Sequence, residues 1–489
     1  MNILSVASEV APLAKSGGLA DVVSSLAIEW KKKKHNPIII LPKYYSIDAG
    51  LNGFESTHIT LVVQMGYWKE YATLLKGKLP NTDVDVYLIE HNIYYGRDGI
   101  YGNPDEYGDN DRRFIFLAKA AFEVAKALNF KPDIIHAHDY HTAYSMAFLK
   151  SYYRFDPFFS GTAGVFTIHN LAYQGRFAPE PTMEYSGFGM HNFYAGSWFE
   201  YYGGTNYIKT GLKFADKITT VSPTYANEIR SAYFGEGLQD VLNEQSGDLV
   251  GILNGVDYSE WNPETDKLLP KKYGPKTLNI KTENKHNFLK ENGINDNLDL
   301  PLVGMISRMT EQKGFDLLIR ILEDFLWNNR FRIVVIGTGS PHYQNYFNYI
   351  KSKYPFSSIV YIGYNEPFSH KVYAACDFLL VPSRFEPCGL TQMYAMKYGT
   401  LPIVRSTGGL ADTVQEFVPS DKTGNGFVFW HYNAEDFAFA INRALTVYDS
   451  PELLEKARLN AMSADFSSSK SAEKYIECFN WALEKVRNN

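Results

Sequence analysis

Short apolar runs recur along the chain, and longer segments with three- and four-residue apolar spacing lie between several of them. NILSVAS (2–8), NPIIILP (36–42), VDVYLIE (84–90), PDIIHAH (132–138), GVFTIHN (164–170) and DKITTVS (216–222) read as buried strands. RRFIFLAKAAFEVAKALNF (112–130) places its apolar residues along one helix face. Strands alternating with helices predict a parallel sheet covered on both sides. The rhythm restarts with LPLVGMIS (300–307), RIVVIGTG (332–339), IVYIGY (359–364), FLLVPS (378–383), LPIVR (401–405) and GFVFW (426–430). Between the sets, DYSEWNPETDKLLPKKYGPKTLN (257–279) is polar and rich in Pro and Lys. It reads as a linker with few core contacts. The pattern predicts two α/β domains of similar size that meet near residue 256. KYIECFNWALEKV (474–486) adds an amphipathic helix.

Composition narrows the class. A chain of 489 residues exceeds one ordinary core, which agrees with two domains. A net charge of −6 without a basic stripe argues against a nucleic-acid surface. The basic block Lys31–Lys34 follows an apolar helical stretch and reads as a solvated helix end. No apolar run reaches membrane-spanning length, and the first residues lack a signal-peptide pattern. Cys376, Cys388 and Cys478 are widely spaced and form no CxxC, which argues against a zinc or disulfide framework. The expectation is a cytoplasmic protein with neither nucleic-acid nor membrane partners. Aromatic residues reach 15%; such rings suit sugar or base stacking, but for any single ring plain core packing is the ordinary reading. HNFYAGSWFEYYGG (191–204) is dense with rings and fits either a glucan groove or a core.

One peptide appears twice. KSGGLADVV (15–23) follows the first strand, STGGLADTV (406–414) follows LPIVR, and each opens a helix. A glycine pair there turns the backbone sharply and lets it approach a ligand, while the helix start supplies N–H groups for an anion or hydroxyl. Loops at the carboxyl ends of parallel strands bind ligands in open α/β sheets, so two such loops facing each other would enclose a cleft. Tight packing alone also explains the glycines. Neither loop is GxGxxG, GTGSPH (337–342) carries only part of that motif, and GxxxxGK[ST] is absent, which argues against dinucleotide and P-loop readings.

Other clusters bring chemistry. SRMTEQKG sets Arg308 and Lys313 just after a strand, as phosphate-binding cations or as solvated loop residues. In SRFEPCGLTQ, the Pro-Cys-Gly turn with Leu390 and Thr391 reads as a helix start able to hold hydroxyls and phosphate. Glu386 there could accept sugar hydroxyls or serve as an N-terminal helix acid. Cys388 has no activating His nearby in sequence and is not read as a nucleophile. HAHDYH gathers His136, His138, Asp139 and His141 at a strand end, a set that also suits a metal. TIHN brings His169 and Asn170 to another strand end, where a histidine is often structural. DVD (83–85) and DND (109–111) match the DxD of metal-dependent glycosyltransferases, but solvation and helix capping explain them.

KSGGLADV, HAHDYH, TIHNLAYQG, TTVSPTYANEI, GILNGVD, SRMTEQKG, SRFEPCGLTQM and RSTGGLADTV occur in this order. Over essentially its whole length the chain resembles bacterial glycogen synthases and plant starch synthases. The resemblance implies a GT-B fold, with two Rossmann-like α/β domains facing across a deep cleft. Residues 1–255 would form the acceptor side, 256–468 the nucleotide-sugar side, and 469–489 a helix returning to the first domain. It implies transfer of glucose from ADP-glucose to the non-reducing 4-hydroxyl of an α-1,4-glucan with retained configuration. Neither metal nor cofactor would take part, and domain closure would exclude water.

The resemblance also implies roles for single residues. Arg308 and Lys313 would grip the diphosphate, and Glu386 the glucose hydroxyls. Cys388, Gly389, Leu390 and Thr391 would contact the donor. Asp139 would lie near the transferred sugar, and His169 beside its reacting carbon, where its backbone carbonyl would stabilise positive charge. Lys15, Gly17, Gly18 and Asn254 would also serve the donor, with Tyr364 stacked on adenine. Asp21, Tyr95 and Asn170 would face the acceptor. Two residues depart from the family's habit: Ser16 stands where Thr or Val is usual, and Tyr140 where Trp is common. A UDP-glucose-dependent relative, a DxD enzyme, a non-catalytic glucan-binding protein and a phosphorylase with lysine-bound pyridoxal phosphate are the rival readings. The oligomeric state stays open at this level.

Overall fold

The computed structural model describes residues 1–103, 105–294 and 299–488. Asn489, counted in the C-terminal segment above, lies outside the described residues. The chain divides into two compact units, Met1–Gly255 with Ser468–Asn489, and Val256–Ser467.

The strands of the first unit are β1 (Asn2–Val6), β2 (Asn36–Pro42), β3 (Glu55–Met65), β4 (Trp68–Lys78), β5 (Asp85–Glu90), β6 (Ile134–His138), β7 (Ala163–Ile168), β8 (Arg176–Phe177), β9 (Glu200–Tyr201), β10 (Gly204–Asn206), β11 (Lys217–Thr220) and β12 (Leu249–Gly251). Nine of them form one sheet in the order β12-β11-β7-β6-β1-β2-β5-β4-β3. From β12 to β5 every pairing is parallel. The sheet is nevertheless mixed, not purely parallel as the pattern predicts, because β3 and β4 form an antiparallel hairpin on β5. The inner strands are almost wholly buried, whereas β3 alternates exposed and buried residues near its end, as a half-solvated antiparallel strand does. The antiparallel trio β8-β10-β9 lies outside the main sheet.

The second unit has one parallel sheet of β13 (Leu302–Ile306), β14 (Arg332–Gly337), β15 (Ser358–Ile362), β16 (Phe378–Val381), β17 (Leu401–Arg405) and β18 (Phe427–Phe429), ordered β15-β14-β13-β16-β17-β18. The strand order turns back between β13 and β16, and in the first unit between β1 and β6. Open α/β sheets bind ligands beyond the carboxyl ends of strands at such switch points. The residues following β1, β6, β13 and β16 are therefore where chemistry is expected.

The last helix, Ser468–Asn488, belongs to the first unit. Its Tyr475, Cys478 and Phe479 share a core with Ile3, Val22, Leu26 and Trp30. Trp30 Nε1 donates to the Ala472 carbonyl at 3.3 Å.

Segment 257–279 is not the loosely held linker its composition suggests. Trp261 lies stacked on His370 (3.9 Å between ring centroids) and on Tyr394 (4.1 Å). Asp266 Oδ2 accepts from the Tyr398 hydroxyl at 2.6 Å and lies 2.8 Å from His370 Nδ1, and Tyr273 donates to the Tyr398 carbonyl at 2.7 Å. The Pro and Lys residues set the composition, but three anchors between them fix the segment to the second unit's core. Among the described residues, no helix is long and apolar enough to cross a membrane.

Candidate active site

Asp139 directly follows β6 and adopts φ 53°, a left-handed value uncommon outside glycine. Its Oδ1 accepts from the backbone N–H of His169 at 2.7 Å and of Asn170 at 3.4 Å. One carboxylate thus ties the ends of β6 and β7 together. Burial pushes the Asp139 carboxyl up to about 7, against the opposing pull of those two N–H groups.

Behind it the histidines form a chain. His169 Nε2 lies 3.0 Å from His138 Nδ1, and His138 Nε2 lies 3.3 Å from Ser5 Oγ. His136 Nε2 lies 2.7 Å from Thr167 Oγ1, and His141 stacks on Tyr101 at 4.5 Å. Burial lowers His136 and His169 to about 3 and holds His138 and His141 far below the usual range, so all four are neutral near pH 7. Of the ring nitrogens in this cluster, His136 Nδ1 and His141 Nδ1 are buried without a hydrogen-bond partner among the described residues. Among the described residues, the group of His, Cys and acidic atoms close enough to share an ion is Glu260, Glu366 and His370, in the other unit.

The loop after β1 carries Lys15, Gly17, Gly18 and Asp21. Gly17 precedes the helix Gly18–Lys32, and a Cβ there would meet nothing within 4 Å. Lys15 Nζ pairs with Asp21 Oδ1 at 2.8 Å. The amides of Ser16 and Gly17 do not await a ligand anion, however. Both donate to Glu9 Oε2, at 2.6 and 2.9 Å, so these two amides are engaged within the chain. Glu9 is buried and also accepts the Tyr101 hydroxyl. Sequence reasoning passed over Glu9. The available signal was a carboxylate within an apolar strand end, which needs partners when buried.

Tyr95 does not fit the acceptor role. It is fully buried, its hydroxyl donates to the Arg113 carbonyl at 2.7 Å, and its ring meets Tyr44 edge-on at 5.9 Å. Its short helix, Asn92–Tyr95, turns Ile93 outward instead, 70% exposed. The ring-rich segment 191–204 divides: Phe199 is buried, whereas Tyr194, Trp198 and Tyr202 are exposed. DND is not explained by solvation and capping. Asp109 occupies the cap position of the helix Asn110–Ala127, yet its carboxylate binds Arg97 at 2.6 and 2.7 Å, and Asp111 is buried. Asn254 is buried with its Oδ1 lacking a hydrogen-bond partner among the described residues.

In the second unit the loops after β13 and β16 are joined. Arg384 N–H donates to the Gln312 carbonyl at 2.8 Å, and Gln312 Nε2 donates to the Phe385 carbonyl at 3.4 Å. Gly314 adopts φ +79°, and a Cβ there would lie 2.1 Å from the Pro382 carbonyl oxygen, so only glycine allows this approach. The result is a salt bridge of 2.6 Å between Lys313 Nζ and Glu386 Oε2, which also accepts from Ser383 Oγ at 2.8 Å. Glu386 is buried, and Arg308 is exposed after the end of β13. Gly389 takes φ +75°, Leu390 caps the helix Thr391–Lys397, and the Cys388 thiol is buried. Tyr364 is 73% exposed, with its hydroxyl donating to Glu366 Oε2 at 2.6 Å.

The second glycine pair has surroundings unlike the first. A Cβ on Gly408 would lie 2.0 Å from the Glu386 carbonyl oxygen, and one on Gly409 2.2 Å from that of Cys388. The Gly409 N–H donates to the Glu386 carbonyl at 3.1 Å. This loop is glycine because it props up the Glu386–Cys388 backbone, whereas the first leaves open space beside Gly17.

Comparison with known proteins bears on the whole chain. The family model described as starch synthase catalytic domain matches residues 2–244, and that for glycosyl transferases group 1 matches residues 287–461. Glycogen synthase 1 of Geobacter sulfurreducens is 42% identical, covering 99% of this chain and 97% of its own. Glycogen synthase of Bacillus subtilis is 39% identical, covering 100% and 99%. The solved catalytic domain of starch synthase IV from Arabidopsis thaliana, bound to ADP and acarbose, is 33% identical with a TM-score of 0.89, covering 99% of each chain.

Proposed function

We propose a reaction for this chain, which belongs to the family of glycogen synthases and starch synthases. It is a glucosyltransferase that extends an α-1,4-glucan from ADP-glucose with retained configuration. The observation that carries the residue assignment is the Lys313–Glu386 pair, held by joined loops at the β13/β16 switch point.

The bond that breaks joins the anomeric carbon to the diphosphate, and negative charge grows on the leaving oxygen. Arg308 and Lys313 meet that charge. Glu386 Oε2 orients the ammonium, and its Oε1 receives a glucose hydroxyl. Positive charge on the anomeric carbon is met by the His169 carbonyl, held because Asp139 Oδ1 accepts the N–H groups on both sides of His169, its own and that of Asn170. The acceptor's 4-hydroxyl attacks from the face the diphosphate leaves, and its proton passes to the departing phosphate oxygen. No side chain is assigned as a covalent nucleophile. The charge balance is supplied by side-chain cations, so the reading needs no metal and no cofactor.

The test is proton NMR of the product formed from ADP-glucose and a short maltooligosaccharide. New α-1,4 linkages support the reading; β linkages, or free glucose alone, refute it.

Two further results are expected. With a carboxyl at about 7, Asp139 ionises through neutral pH, and kcat should rise through that range. In Asp139→Asn the inflection should vanish and kcat should fall. The same raised pKa means the folded state holds this proton more tightly than the unfolded chain. Stability from this group is therefore fully present below the unfolded carboxyl's value of about 4 and is lost progressively as pH rises from there through about 7. Chemical denaturation of both proteins across that range should show the loss in the wild type only. Separately, Tyr364→Ala should raise the KM for ADP-glucose by roughly tenfold, the scale of one base–aromatic stack, with little change in kcat. An unchanged KM would remove the adenine role.

A further inference from the structure

The glycine loop after β1 is held by a group that the motif does not contain. Glu9 is 4% exposed, and its Oε2 accepts two consecutive backbone N–H groups, from Ser16 at 2.6 Å and Gly17 at 2.9 Å. Its Oε1 accepts from the Tyr101 hydroxyl, which in turn lies 3.0 Å from Ser8 Oγ. Tyr101 is itself fixed by stacking on His141 at 4.5 Å, two residues beyond Asp139. A carboxylate is thus built into the start of the helix Gly18–Lys32, where a ligand anion would otherwise be drawn.

Two consequences follow. The Lys15–Gly18 backbone is pinned at its centre, so the ammonium of Lys15 and the open flank of Gly17 keep one position. The pinning anion is internal, so an incoming diphosphate cannot displace the loop by taking these amides. At the second glycine pair, Gly408 and Gly409 lie against the backbone of Glu386 and Cys388.

We propose that Glu9 is a positioning residue for the transfer reaction, holding the Lys15–Gly18 loop in the conformation that receives the substrate. The proposal rests on the glucosyltransferase reading above. Geometry, not charge, is what the loop needs from it. A glutamine can keep its amide oxygen at the Oε2 position and still accept both N–H groups, while its NH2 faces the Tyr101 hydroxyl, which can accept. An alanine cannot.

The experiment compares the wild type with Glu9→Ala, Glu9→Gln and Tyr101→Phe. It measures kcat and KM for ADP-glucose with glycogen, the melting temperature, and amide hydrogen exchange of residues 15–19. Glu9→Ala should lose at least tenfold in kcat with faster exchange confined to the loop. Glu9→Gln should stay within about threefold of wild type with a protected loop, and Tyr101→Phe should fall between. Wild-type kcat and slow exchange in Glu9→Ala would overturn the proposal. So would equal losses in the Ala and Gln variants, or a loss of activity matched by global rather than local deprotection. If the wild type itself transfers no glucose, the reaction reading fails, while loop exchange in Glu9→Ala still tests the pinning.

Discussion

Lys313→Ala is expected to lower kcat by at least about a hundredfold, ~2.7 kcal/mol of transition-state stabilisation. The ammonium sits 2.6 Å from Glu386 Oε2, on a loop locked by Gly314 against Pro382. Its loss removes a positioned positive charge and leaves Glu386 buried with Ser383 as a remaining donor. That second effect also costs stability, since an uncompensated buried charge is unfavourable. Melting temperature must therefore be measured beside kcat. Lys313→Arg keeps the charge but not the compact ammonium, and is expected to recover activity only in part. A folded Lys313→Ala protein with near-normal kcat would remove the role assigned to this residue.

The second large effect concerns the twin glycine loops. Gly409→Ala is expected to destabilise the protein by about 2–4 kcal/mol, because the new Cβ collides with backbone rather than with a yielding side chain. The collision partners are the Cys388 carbonyl oxygen at 2.2 Å and Cα at 2.5 Å. Gly17→Ala carries no such clash, with nothing within 4 Å and an extended φ of −153°. Its cost should stay near the ~1 kcal/mol of an unfavourable helix cap. Thermal unfolding of both variants decides this. Equal melting temperatures would mean that the two loops are not built differently.

Much of this arrangement was legible in the sequence, and the exceptions have physical causes. β2 and β17 coincide with the apolar runs NPIIILP and LPIVR because inner parallel strands are buried on both faces. The β3–β4 hairpin escaped because ESTHITLVVQM exposes about half its residues, and its apolar run is confined to Leu61, Val62 and Val63. The anchors Trp261, Asp266 and Tyr273 escaped because composition averages over a segment, whereas a few buried side chains decide where it packs.

At the site, residue type was legible and surroundings were not. Lys313 and Glu386 could be named, but their salt bridge depends on two loops 73 positions apart in sequence. Tyr95 was an aromatic in a plausible place, yet the turn of its helix buries it. The repeated GGLAD peptide shows the same limit. One copy is pinned by Glu9 beside open space, and the other is wedged under Glu386 and Cys388. Identical letters here sit in different packing environments.

In the proposed reaction, cationic side chains rather than a bound metal balance the charge of the departing nucleoside diphosphate. The direct measurement is incorporation of labelled glucose into glycogen from ADP-glucose, with UDP-glucose in parallel, before and after exhaustive treatment with EDTA. Transfer from ADP-glucose at an unchanged rate in EDTA is the expected result. Transfer that EDTA abolishes and a divalent cation restores, or no transfer from ADP-glucose at all, would contradict it.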